Sequence, residues 1–162
     1  MPSMNALVQE YTQQLSKGVI QKAYRGIMAF MSDLRSELSQ NHPDFSVTGL
    51  YFGYMDMTYF AFTPADLKAM KLKIAIVYLH EENSFEVWLG GVNRQVQAEY
   101  IKMLSEKDLG EYTLSKVEPG VDAIIAAQII QQPDFDHSDG LITLIEEKTL
   151  RFIKDINPFL EN

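Results

Sequence analysis

Lys73-Ile74-Ala75-Ile76-Val77-Tyr78-Leu79-His80-Glu81-Glu82-Asn83-Ser84-Phe85-Glu86-Val87-Trp88-Leu89 is the stretch that decides the architecture of this chain. Two runs of β-branched and aromatic residues flank Glu81-Glu82-Asn83-Ser84, which predicts strands over Lys73 to His80 and Phe85 to Leu89 joined by a hairpin. Along the first run Ile74, Ile76 and Tyr78 face one way, while Lys73, Ala75, Val77 and Leu79 face the other. Both sets are largely apolar, so this strand is expected at the centre of a sheet and covered on both sides.

Upstream lies Tyr51-Phe52-Gly53-Tyr54-Met55-Asp56-Met57-Thr58-Tyr59-Phe60-Ala61-Phe62, six aromatics in twelve residues around one acid. Alternation in this region predicts strands near Val47 to Phe52 and Met57 to Phe62. Thr63-Pro64-Ala65-Asp66 then starts a helical turn toward Met70, with threonine as the cap and proline in the first helical position. Further upstream the apolar residues Ile20, Tyr24, Ile27, Met31, Leu34 and Leu38 advance by alternating steps of four and three, the stripe of a helix that Asn41-His42-Pro43 should end. A shorter helix from about Asn5 to Ser16 carries Leu7, Val8, Tyr11 and Leu15, and Gly18 interrupts the pattern between the two.

Downstream, Gly90-Gly91 is expected to close the sheet run. A helix follows over Val92 to Lys107, with Val96, Tyr100, Met103 and Leu104 inward. Ala123 to Ile130 reads as a strand, and Pro133-Asp134-Phe135-Asp136 leads into a last helix from Ser138 to Ile156. No repeat or linker divides the 162 residues. The expected fold is a single α+β domain over 1–162, with a mainly antiparallel sheet of about five strands and the long N- and C-terminal helices packed against it.

Composition narrows the function. Cysteine is absent, which removes disulfides, thiolate nucleophiles and cysteine zinc sites together. The N-terminal residues lack the cationic start and apolar run of a signal peptide, and no stretch approaches the length of a membrane span, so a cytoplasmic, membrane-free protein is expected. A net charge of -8 repels phosphate backbones, and Lys17, Lys22, Arg25, Lys68, Lys71 and Lys73 are scattered as on a solvated face, which disfavours nucleic acid. Small-molecule and protein partners, including a second copy of the chain, stay open.

No motif enforces a chemistry. His80-Glu81-Glu82 lacks the second histidine of a zinc-peptidase helix, since position 84 is serine, and His42 and His137 fall in predicted loop or helix-start segments. Gly90-Gly91 before a helix is a weak phosphate signal without a third glycine or a lysine-threonine pair. No serine occupies a nucleophile elbow, and no cofactor signature is present. The element order is similar to the core of restriction-type nucleases, where an acid on one strand and an acid-x-lysine on the next bind magnesium. Asp56 and Glu86 would supply the carboxylates, but Val87 and Trp88 follow Glu86, so Lys73, Arg94 or Gln95 would have to replace the missing lysine.

The favoured alternative is a pocket in which Tyr51, Tyr54, Tyr59 and Trp88 offer apolar walls with polar tips, while Asp56, Glu86 and Arg94 orient a ligand. The plainer reading is that the aromatics are core residues of strands. Asp56 must then be solvated at a turn, hydrogen-bonded within the fold, or held ready for a ligand, in that order of expectation.

Three segments, Lys17-Gly18-Val19-Ile20-Gln21-Lys22-Ala23-Tyr24-Arg25-Gly26, Tyr51 to Phe60, and Phe85-Glu86-Val87-Trp88-Leu89, resemble a family of small uncharacterised bacterial proteins defined only as a domain of unknown function. The likeness extends from the first helix to Pro133-Asp134-Phe135. It implies one domain with a common fold, and it carries over no activity and no site residues.

Overall fold

The computed structural model describes residues 1–161. Helix α1 (Met4–Ser16) begins where Ser3 Oγ accepts the Ala6 N–H, and it ends at the elbow around Gly18, whose φ of 77° suits glycine. Helix α2 (Val19–Asn41) stops at His42, the residue before Pro43. The His42 ring then spans to Glu146, Nε2 to Oε2 2.9 Å, and ties the end of α2 to the C-terminal helix.

Five strands follow in a meander of spatial order β1-β2-β3-β4-β5, every neighbouring pair antiparallel. They are β1 (Ser46–Val47), β2 (Met57–Thr63), β3 (Leu72–Leu79), β4 (Ser84–Gly91) and β5 (Ala123–Gln131), with α3 (Ala65–Ala69) and α4 (Arg94–Leu104) between them. Helix α5 (Ser138–Ile156) and a short 3-10 turn (Asn157–Leu160) complete the chain. This is an α+β fold built on one sheet, with β3 at its centre.

Cross-strand register sorts the side chains onto two faces. Phe60 lies opposite Ile76 and Ile76 opposite Val87, so one face collects Phe60, Phe62, Ile74, Ile76, Tyr78, Phe85, Val87 and Leu89. All the helices except α1 bury their apolar side chains there. Phe30, Met31, Leu34 and Leu38 of α2 meet Leu141, Ile142 and Ile145 of α5 over one half, and Val96, Leu104, Phe152, Ile153 and Ile156 fill the other. Tertiary packing therefore stabilises α2 and α5. Helix α1 buries no residue at all, and the stripe of α2 is buried only from Phe30 onward, leaving Ile20 exposed.

Several expectations change. The strand expected over Val47 to Phe52 shrinks to Ser46–Val47 plus a single bridge between Tyr51 and Tyr59. Thr48 Oγ1 accepts the Ala61 N–H, and the register then slips by one residue before Tyr51 and Tyr59 exchange hydrogen bonds of 2.8 and 3.0 Å. Thr63 is no helix cap. It ends β2, where its hydroxyl accepts the buried Ile74 N–H, and Pro64 precedes α3 instead. Gly90-Gly91 does not close the sheet but continues β4, opposite Lys73 and Leu72. Helix α4 accordingly starts later than Val92, at Arg94, capped by Asn93 Oδ1 accepting the Val96 N–H at 2.9 Å.

Candidate functional site

The second face of the sheet carries Met57, Tyr59 and Ala61 on β2, Lys73, Ala75 and Val77 on β3, and Glu86, Trp88 and Gly90 on β4. No helix packs its buried side chains against this face. Val77, Ala75 and Ala61 are nonetheless buried, because the larger residues on the neighbouring strands lean over them. The central strand is thus covered on both sides as expected, by helices on one and by its own neighbours' side chains on the other.

At the end of this face where β4 runs into α4, a pocket of about 190 Å³ opens. Its floor is made of small residues, Ala75, Gly90 and Ala123, and Tyr59, Trp88 and Met57 form its apolar wall. Trp88 stands opposite Ala75 and Tyr59 opposite Val77, so the two rings are two strands across and two residues along, a separation of about 12 Å. Tyr51 stacks behind Tyr59, with ring centroids 5.0 Å apart. Trp88 is fixed from the other side, its indole N–H donating to Glu86 Oε1 at 2.7 Å.

The polar wall comes from the junction of α4 and β5. Arg94 donates to the Val121 carbonyl, to Asp122 Oδ1 at 2.9 Å and to Gln97 Oε1 at 3.1 Å. Gln97 is buried and donates in turn to the carbonyls of Val121 and Ala123 at 2.8 and 3.1 Å. Gly91 makes this junction close, since a Cβ there would sit 2.8 Å from the Gln97 nitrogen. Gly90 is different. A Cβ there would meet Lys73 Cε at 3.5 Å, so the lysine stem lies across the glycine. Lys73 has neither an ion pair nor a hydrogen bond among the described residues, whereas the charge of Arg94 is matched by Asp122. Burial raises the Tyr59 phenol above its ordinary pKa, and the nearby Tyr51 and Asp122 add to this, so Tyr59 is a hydroxyl donor at neutral pH.

Three of the seven sequence-picked residues, Tyr59, Trp88 and Arg94, line this pocket, and Tyr51 and Glu86 stand behind the first two. Tyr54 and Asp56 do not. Tyr54 is 88% exposed on the 53–56 turn. Asp56 is exposed at the same turn, where its Oδ1 accepts the Tyr54 N–H at 2.9 Å. Backbone N–H groups of Tyr54 and Met57 hold its carboxyl below the usual range. Asp56 is therefore solvated at a turn and hydrogen-bonded in the fold at once. Gly53 lets the turn close, with φ of 77° and a Cβ position only 1.9 Å from the Met57 carbonyl oxygen.

The magnesium arrangement does not assemble. Asp56 accepts from His80 N and so lies level with it, while Glu86 pairs with Val77 two strands away. Three residues along and two strands across separate their backbones by roughly 14 Å, too far for one small ion to bridge. Among the described residues no group of three or more histidines and acids is arranged to hold a metal. His80 lies in the turn just after β3 and is held there. Thr58 Oγ1 donates to the Phe52 carbonyl at 2.7 Å and contacts His80 Nε2 at 2.8 Å, so the imidazole is the donor in that pair. Its burial lowers the His80 pKa.

Sequence reasoning missed Lys73, Gln97 and Asp122 as parts of one site. Gln97 left a signal, a polar residue four before Ile101 and seven before Leu104 on the inward stripe of α4. Asp122 left none, because its place depends on β5 pairing back onto β4. No helix of the described residues is long and apolar enough to cross a membrane. No curated protein and no solved structure matches the chain. One family model does match, and it runs from the first residue of α1 to the end of the 3-10 turn. By that match over residues 4–160, the chain belongs to the family described as Domain of unknown function (DUF7000).

Proposed function

We propose that this chain is a binding protein whose outer-face pocket takes a small planar anion, an aromatic ring carrying a carboxylate. The observation that carries this reading is Lys73, a cation without an ion pair that crosses Gly90 beside the aromatic wall of Tyr59 and Trp88. A flat ring resting on Ala75 would contact both aromatic side chains, which favour planar partners. Its carboxylate would meet Lys73, with the Tyr59 hydroxyl as a second donor. The paired Arg94 and Asp122 leave one net positive charge in the pocket, a local reversal of the chain's overall -8. The pocket volume of about 190 Å³ limits the ligand to one or two rings.

Trp88 is the single tryptophan, so its emission reports directly on occupancy. Titration with benzoate, indole-carboxylate and pyridine-carboxylate compounds is expected to quench or shift that emission, and the corresponding neutral amides should act at least tenfold more weakly, about 1.4 kcal/mol. Lys73→Met should remove the preference for acid over amide while leaving the emission of the free protein unchanged. A flat response to every acid, or an unaltered preference in K73M, refutes the reading.

A further inference from the structure

Helix α1 is an amphipathic helix that buries none of its residues. Its apolar residues Met4, Val8, Tyr11 and Leu15 follow steps of four, three and four, the seam spacing of paired helices, and none of its side chains is buried. A helix of 13 residues is marginal in water when it stands alone. The elbow at Gly18 brings only the C-terminal end of α1, Tyr11 and Leu15, beside α2, while Met4, Leu7 and Val8 stay exposed. Inside the elbow lies a groove whose apolar lining is Tyr11, Leu15, Ile20, Tyr24 and Met55. Through Met55 the surface continues into the exposed 52–55 turn.

We infer that α1 of one copy packs into the elbow groove of a second copy, and the reverse, giving a two-fold dimer through the N-terminal arms. Area argues for it. The exposed parts of Tyr11, Phe52 and Tyr54 offer about 400 Å² at roughly 200 Å² per ring. The exposed aliphatic and methionine side chains of α1, the start of α2 and Met55 add about 300 Å² at roughly 100 Å² each. The total of about 700 Å² comes close to the ~800 Å² per partner of a stable interface. Each copy presents both an exposed arm and a groove that the end of its own arm walls without filling, and a two-fold axis satisfies both at once and closes the assembly. Charge does not drive the approach: residues 1–28 hold Lys17, Lys22 and Arg25 against the single acid Glu10, so the apolar contact has to outweigh a weak mutual repulsion that salt screens.

Light scattering coupled to gel filtration of the full chain should give twice the monomer mass across the micromolar range. The double variant Met4→Glu and Val8→Glu changes the arm, and Ile20→Glu changes the groove. Each should give a monomer with unchanged near-ultraviolet circular dichroism. Hydrogen exchange of the α1 amides should be slow in the native dimer and fast in both variants. A native chain that is monomeric throughout, or variants that keep the dimer mass, would overturn the inference. A monomer that sediments with phosphatidylcholine–phosphatidylserine vesicles, and loses this in the arm variant, would also overturn it by assigning the stripe to a lipid surface.

Discussion

The two faces of the sheet are built from the same strands and come to opposite ends. On the inner face large apolar residues, Phe60, Phe62, Ile76 and Phe85, meet helices and are fully buried. On the outer face the order is inverted, with small residues, Ala61, Ala75 and Gly90, at the level of the backbone and Tyr59, Trp88 and Lys73 standing over them. The inner face has large residues that helices cover, so it is filled. The outer face has large residues around small ones, so it keeps a hollow. A core and a binding surface can thus alternate residue by residue along one strand, and the size of the neighbour across the ladder decides which is which.

The sharpest way to break this comparison is to truncate consecutive residues of β2. Phe60→Ala should cost about 3–5 kcal/mol, because it opens a cavity among packed side chains. Tyr59→Ala, one residue away, should cost about 1 kcal/mol while abolishing the response of Trp88 to aromatic acids. Urea unfolding of both variants beside a fluorescence titration measures the two quantities, and equal stability losses would contradict the assignment of faces.

Neighbouring glycines give a second contrast. Gly91→Ala drives a Cβ to 2.8 Å from the Gln97 nitrogen and should destabilise by about 2 kcal/mol or more, since strand and helix must part. Gly90→Ala meets the flexible Lys73 stem at 3.5 Å and the Asp122 carbonyl oxygen at 3.6 Å, both ordinary contacts, and should change stability by about 0.5 kcal/mol or less, yet it raises the pocket floor and should weaken ligand binding. Thermal unfolding separates the pair, and ligand titration of G90A then tests the floor.

The smallest expected effect is a pH dependence centred on His80. Burial lowers its folded-state pKa below the ordinary 6.5, so the unfolded chain takes up the proton first. The stability associated with the neutral imidazole is fully present above pH ~6.5 and is lost as pH falls through the lower, folded-state value. The attraction of Asp56 opposes this shift and keeps it modest. Melting temperatures at pH about 7.5 and about 5.5 should differ less in His80→Gln, which retains a donor for Thr58, than in the native chain. An identical difference in the two proteins would remove His80 from the acid limb. At lower pH Asp56 acts in the same direction, because its folded-state pKa is also depressed and its contribution disappears as the carboxylate is protonated.

Legibility in the sequence followed the range of the interaction. Local pattern revealed α2 and the hairpin of β3 and β4, and α5 spans Ser138–Ile156 as the Pro133-Asp134-Phe135-Asp136 lead-in implies. Failures occurred where a side chain took over a backbone role. Thr48 replaced a ladder acceptor and shortened β1, and Thr63 served β3 rather than capping α3. The candidate site was half legible. Tyr59, Trp88 and Arg94 drew attention as aromatic and charged residues near strand ends, but Asp56 and Tyr54 drew the same attention and belong to a separate turn.

The sequence by itself determined which residues are helical, which alternate, and that one apolar strand sits at the centre, because those properties are repeats within a few residues. Tertiary structure alone decided that Asp122 joins Lys73 and Gly90, which the β3–β4 hairpin already sets side by side. Pairing of β4 with β5 across more than thirty residues of chain sets that meeting. It also decided that α1, as apolar on one stripe as α2, is left without a surface of its own, because the direction of the chain at Gly18 rather than the pattern of the helix settles what each face can reach.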